Sequence, residues 1–99
     1  MSTFCFSVHS DAVPSALPRV LEVFALHGFV PEQCHASRTG PDREEMVVDL
    51  QMSGLDAAQA TLLAKRLGRV VSVSHVLFSQ KRVVAEHDPY RAEPRCLAA

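Results

Sequence analysis

What the sequence has little of narrows its chemistry. Basic residues (10 Lys and Arg) and acidic residues (11 Asp and Glu) nearly cancel, leaving a formal net charge of −1. The lysines and arginines are scattered, so no electrostatic footprint marks a partner such as nucleic acid or an anionic membrane. No apolar run approaches the about 18 residues that span a bilayer. The amino terminus lacks a basic segment followed by a hydrophobic stretch, so neither membrane insertion nor secretion is expected. Cysteine is scarce and odd in number: Cys5, Cys34 and Cys96 stand far apart. A disulfide framework is therefore not expected, and a reducing cytoplasm is the expected location.

Catalytic and ligand-binding signatures are missing as well. No glycine-rich phosphate loop is present. His9, Cys34, His35, His75 and His87 show no C-x-x-C or H-x3-H spacing, and neighbours along a strand point to opposite faces. Solvated or singly hydrogen-bonded side chains are the expectation, with no metal and no cofactor. The alternative is a cluster of His9, Cys34, His35 and His75 that meets only in space. Cys34 has no base near it in sequence to lower its pKa, which makes a structural thiol the expectation. Glu44 and Glu45 read as solvated charges at a turn. No residue qualifies as catalytic, and the chain is expected not to be an enzyme.

What remains is a pattern for one folded domain. At 99 residues and 47% hydrophobic content the chain supports a single core, burying roughly 60–65% of its unfolded surface. Thr3 to His9 alternates, with Phe4, Phe6 and Val8 on one side, as a half-buried strand does. After a turn over 10–15, Leu17, Val20, Leu21 and Phe24 form the stripe of an amphipathic helix closed by Gly28. Ser15 at the N-cap puts Pro18 at the third helical position, where proline is tolerated. Phe29 to Thr39 reads as a second strand, and Pro31 makes it an edge strand. Gly40-Pro41-Asp42 turns into a third strand, in which Met46, Val48, Leu50 and Met52 alternate with polar residues. Asp56 and Gln59 form a capping box for a second helix, with Ala60, Leu63, Ala64 and Leu67 inward and Gly68 as its stop. Val70 to Gln80 is a fourth, β-branched strand. Residues 1–81 are expected to form the domain. Residues 82–99, polar with two prolines, are expected to be a flexible tail unless a partner orders it.

The order strand, helix, strand, strand, helix, strand predicts an α+β, ferredoxin-like βαββαβ two-layer sandwich. Its four-stranded antiparallel sheet takes the order 4-1-3-2, with both helices on one face. The first helix carries Ala16, Val23 and Leu26 outside its predicted core stripe, an apolar arc wider than a sheet-bound helix needs. With Pro31 on the adjoining edge, these four residues are the expected surface for a second copy or another protein. A helix merely shielded by its neighbour is the alternative.

Residues 11–29, DAVPSALPRVLEVFALHGF, resemble the first loop and helix of ACT domains. Within that family they are most similar to the small regulatory subunits of acetohydroxyacid (acetolactate) synthase. Residues 67–76, LGRVVSVSHV, resemble the last helix end and strand of those subunits. The resemblance implies a homodimer that binds a small amino-acid effector between protomers and acts on a larger catalytic subunit in branched-chain amino-acid biosynthesis. Carried onto this sequence, the effector positions are Asp11, Ala12, Val13, Pro14, Ser15, Ala16 and Leu17, with Val30, Pro31 and Glu32. Ser15 stands where the family has glycine, and Ala12 and Val30 stand where valine-responsive members have asparagine. A serine cap is expected to take one helix-start amide for itself, while Pro18 removes another. Losing two amide side chains that bond charged ligand groups, at about 1.5–3 kcal/mol each, weakens binding by roughly two to four orders of magnitude. The expected function is a regulatory or accessory subunit with a weak or absent effector site. A stand-alone amino-acid sensor is the alternative.

Overall fold

The computed structural model describes residues 2–81. Strand β1 (Ser2–Asp11) leads to helix α1 (Ala16–Leu26), then β2 (Gln33–Thr39), β3 (Glu45–Leu55), helix α2 (Ala57–Gly68) and β4 (Val73–Lys81). The sheet order is β2-β3-β1-β4, and every pairing is antiparallel. This is the βαββαβ sandwich that the alternation of short apolar segments predicts. The predicted tail, 82–99, lies outside the described residues.

One core holds the two layers together. Phe4, Phe6 and Val8 of β1 and Met46, Val48, Leu50 and Met52 of β3 point to the same side of the sheet. There they meet Ala16, Val20 and Phe24 of α1 and Ala60, Leu63 and Leu67 of α2. Phe6 is the hub, edge-on to Phe24 at 5.7 Å and stacked with Phe78 of β4 at 5.8 Å. Such aromatic pairs add about 0.5–1.5 kcal/mol beyond the area they bury.

The helix ends follow their sequence signals. Asp56 accepts from the Gln59 amide at 2.7 Å, and Gln59 Oε1 accepts from the Asp56 amide at 3.0 Å, the reciprocal pair of a capping box. At the other end of α1, Gly28 adopts φ +78°. The Phe29 amide donates to the Phe24 carbonyl and the Gly28 amide to the Ala25 carbonyl. That double closure requires a left-handed residue at Gly28 and turns Phe29 back onto the core.

Several boundaries differ from the sequence reading. β2 begins at Gln33 rather than Phe29, because Phe29 is consumed in closing α1. β4 begins at Val73 rather than Val70, because the Val70 amide returns to the Leu67 carbonyl and the Val73 amide to the Val70 carbonyl. Gly68 is the last residue of α2, not the residue that stops it. Leu21, predicted in the inner stripe of α1, is exposed, and Ala16 takes its place inside. The buried positions 16, 20 and 24 lie along one i, i+4 row, and Leu21 falls off its flank.

Candidate functional site

The predicted effector residues divide into two groups. The first, 11–17, links β1 to α1. The Asp11 amide donates to the Ser72 carbonyl and the Ala12 amide to the Glu44 carbonyl, so backbone bonds tie the loop to both neighbouring turns. The Ala16 amide donates to the Val13 carbonyl at 3.0 Å, with Pro14 and Ser15 as the turn between them. Ser15 occupies the N-cap position, but its backbone is already helical (φ −84°, ψ −8°) and its side chain makes no cap hydrogen bond. The expectation that its hydroxyl fills a helix-start amide is therefore corrected. Side-chain capping uses an extended backbone, which the turn denies to Ser15. The anion-binding capacity of this helix start is reduced all the same. Ala16 spends its amide on Val13 and Pro18 has none, which leaves Leu17 among the first three helical positions. Asp11, Val13, Pro14 and Ser15 are exposed, Ala12 and Leu17 are half-buried, and Ala16 is buried.

The second group, Val30 to Glu32, precedes β2. Val30 is 84% exposed. Glu32 is fixed by its amide, which donates to the Gln51 carbonyl, and by its carboxylate, which accepts from Ser53 Oγ at 2.8 Å. Ser53 Oγ in turn lies 3.1 Å from Thr3 Oγ1. These partners belong to the start of β1 and the end of β3. Asp11, by contrast, pairs with Glu45 at the other end of the same ladder, whereas Gln51 faces Cys5. The intervening strand residues, at 3.2–3.4 Å each, put the two groups about 20 Å apart along the sheet. One protomer does not bring the two halves of the predicted site together.

Residues 2–85 match the sequence profile of a family described as ACT-like domain. The chain belongs to the ACT-like domain family. No curated protein matches it. Among solved structures it is similar to the uncharacterized protein TM1266 from Thermotoga maritima, with a TM-score of 0.64 at 12% identity over 81% of this chain and 96% of that one. It is similar to the C-terminal domain of the MgtC protein from Mycobacterium tuberculosis too, with a TM-score of 0.64 at 15% identity over 87% of this chain and 95% of that one. At these identities both likenesses speak to the fold alone.

In this ACT-like domain the predicted partner surface is only partly on the outside. Ala16 is fully buried in the protomer's own core, which withdraws it from any interface. The wide apolar arc of α1 misled the sequence reading here, because a small alanine is what lets the helix approach the sheet. Val23 and Pro31 are half-buried, whereas Leu26 is 76% exposed. Register adds what the sequence did not reveal. Cys34, Ala36 and Arg38 pair with Leu50, Val48 and Met46, so they sit on the helix-bearing side of the sheet. All three are nevertheless exposed, so neither helix covers β2. Partial burial of its sulfur and the nearby Asp49 carboxylate raise the Cys34 thiol above its ordinary pKa. That favours the neutral thiol and disfavours a nucleophile.

The four residues of the spatial-cluster alternative separate into two pairs of circumstances. His9 and His75 face each other across β1 and β4, their rings stacked 4.1 Å apart. His35 lies at the opposite edge of the sheet, bonded to Ser37 Oγ, and Cys34 is on the other face. Among the described residues no group of three or more His, Cys, Asp or Glu side chains is placed to hold a metal ion. Cys5, buried on β1, is disulfide-bonded, and its partner lies outside the described residues. Cysteine count and spacing did not anticipate that bond.

Proposed function

We propose that this ACT-like domain is a non-catalytic regulatory subunit that works as a homodimer, with a weak or absent amino-acid effector site. The observation that carries this reading is the separation of the two half-sites along an edge-bounded sheet. β2 has a sheet neighbour on one side only. Antiparallel pairing of β2 with β2 of a second copy turns the partner end for end. The partner's start of β2 then lies toward the same end of the joined sheet as the β1–α1 loop of the first copy, three strand spacings or about 14 Å across it, and this nearer approach of the two half-sites occurs twice per dimer. Leu26 and Val30, exposed near the start of β2, supply apolar surface for the same contact.

The site so assembled is poor for an amino acid. Ala12 and Val30 bring no hydrogen-bonding side chain, and the helix start offers one amide where a glycine-led turn offers more. Regulation then runs through protein contacts. The likeness of residues 11–29 and 67–76 to small subunits of acetolactate synthase makes the thiamine-diphosphate-dependent catalytic subunit of that enzyme the proposed partner. Among the described residues no helix is long and apolar enough to cross a membrane, and a cytoplasmic location accords with that partner.

Calorimetric titration of the full chain with a panel of amino acids tests the site. The expected result is no saturable heat at micromolar concentrations. Micromolar binding of valine or isoleucine overturns the reading. It favours a stand-alone sensor in which the Leu17 amide and the Glu32 carboxylate hold the ligand.

A further inference from the structure

The helix-free face of the sheet is drier at its centre than an open face should be. Both helices pack on the side of Phe4, Phe6 and Val8. Cys5, Ser7 and Gln51 point the other way, where no described helix or strand lies over them. Polar residues on an uncovered antiparallel face are normally solvated. Here Ser7 is 3% exposed, Cys5 7% and Gln51 9%. The Gln51 side-chain oxygen is buried and takes no hydrogen bond, so it is screened from the water that would hydrate it on an open face. Gln51 is the direct cross-strand neighbour of Cys5, and Cys5 is disulfide-bonded. The sequence has two other cysteines, Cys34 and Cys96. Cys34 is a free thiol, which leaves Cys96.

We propose that residues 82–99 form a strap across the helix-free face, pinned by a Cys5–Cys96 disulfide and released when that bond is reduced. Lys81, the last residue of β4, pairs with Thr3, two residues from Cys5. From Lys81 the chain to Cys96 reaches about 50 Å when extended, whereas Cys5 is only about 10 Å away. The surplus lets the segment cross the sheet and return. Its chemistry matches the face it would cover. Tyr90 and Leu97 suit Val47 and Leu77, and Arg91 and Arg95 suit the Asp49 carboxylate; all three sheet residues share the face of Ser7 and His9. The bond forms by exchange with a small disulfide of the glutathione class. The Cys96 thiolate displaces one small thiol and forms a mixed disulfide. The Cys5 thiolate then attacks the Cys96 sulfur and expels the second small thiol. Two protein thiols are oxidised, one small disulfide is reduced, and the two protein protons leave with the two small thiols. Two equivalents of the small thiol reverse the step. The edge of β2 and Leu26 stay outside the strap, so the device is independent of the proposed dimer.

The full chain, oxidised with glutathione disulfide, tests the strap by non-reducing peptide mapping and NMR. The expected map links Cys5 to Cys96 and finds Cys34 free. The expected spectra show nuclear Overhauser contacts from residues 82–99 to the methyl groups of Val47 and Leu77. Dithiothreitol, or Cys96→Ser, abolishes those contacts and leaves the β1–β3 and β1–β4 amide contacts in place, while Cys34→Ser changes neither. A Cys5–Cys34 bond, a bond between two chains or no bond after oxidation overturns the proposal. So does a formed bond without the methyl contacts, or contacts that persist after reduction. A reduced chain that unfolds overturns it as well, because the bond then holds the core and not the strap.

Discussion

Truncating Leu26 or Val30 puts the proposed β2–β2 dimer to a quantitative test. Leu26 is 76% exposed in the protomer, and Leu26→Ala removes three carbons, each worth about 0.8 kcal/mol when buried. If the contact covers the exposed fraction, each copy loses about 1.8 kcal/mol. A two-fold interface contains the change twice, so the dimer loses about 3.6 kcal/mol, a dissociation constant raised by two to three orders of magnitude. Val30, at 84% exposure, loses two carbons as alanine, and the same arithmetic gives about a hundredfold. Sedimentation equilibrium over a wide concentration range reads both numbers. Val71→Ala is the control: at 95% exposure it is equally apolar and open, but it precedes β4 at the opposite edge of the sheet. It leaves the dimer unchanged. The reasoning is refuted if Leu26→Ala and Val30→Ala dissociate within about threefold of the parent chain. A parent chain that remains a folded monomer at the highest concentration refutes it equally.

Three further outcomes probe the fold beneath the site. Asp56→Ala removes the acceptor of a 2.7 Å capping bond and is expected to cost about 1 kcal/mol, a fall in Tm of about 4–8 °C for a domain of this size; Asp56→Asn stays within a few tenths. Gly68→Ala raises stability by about 0.5–1 kcal/mol in a denaturant titration, because Gly68 is helical and an added Cβ meets nothing within 4 Å. Gly28→Ala, with equal space but φ +78°, lowers it by about 1–2 kcal/mol, and equal effects at the two glycines would refute the assignment of their roles. Burial and Asp49 raise the Cys34 pKa, so less thiolate exists at any given pH. Iodoacetamide therefore alkylates Cys34 more slowly at pH 8 than an ordinary exposed thiol, and Asp49→Asn recovers part of the difference, as mass spectrometry of the labelled chain would read.

The fold was legible wherever local chemistry and tertiary packing demanded the same residue. Alternation in Phe4, Phe6 and Val8 and in Met46 to Met52 placed two central strands, because a sheet covered on one face imposes a period of two. Asp56 and Gln59 announced α2 through bonds that close within four residues. The errors arose where two elements compete for the same residues. Phe29 reads as the start of a strand, but the closure of α1 claims its amide and its ring. Ala16 reads as spare apolar surface, but a small side chain is what packs against the sheet. Leu21 fits a helical stripe as well as Ala16 does, and only the direction from which the sheet approaches chooses between them.

The site was less legible, for a different reason. His9 and His75 are far apart in the chain, and their pairing depends on a register that a bulge at Ser74 resets. Residues 11–17 and 30–32 raise the same difficulty on a larger scale. A loop at one end of β1 and a strand start about 20 Å away make no single pocket on one copy. In the proposed dimer, a second copy laid antiparallel along β2 brings them to the same end of the sheet. What a sequence records of such a site is two unrelated fragments, each with an ordinary local explanation: Pro14-Ser15 is a turn, and Pro31 begins an edge strand. On the proposed reading the function follows from a symmetry operation that belongs to the dimer. Substitutions along β2 and its approach should therefore alter association and any ligand response together, while substitutions confined to the loop over 12–15 should alter the response and leave association intact.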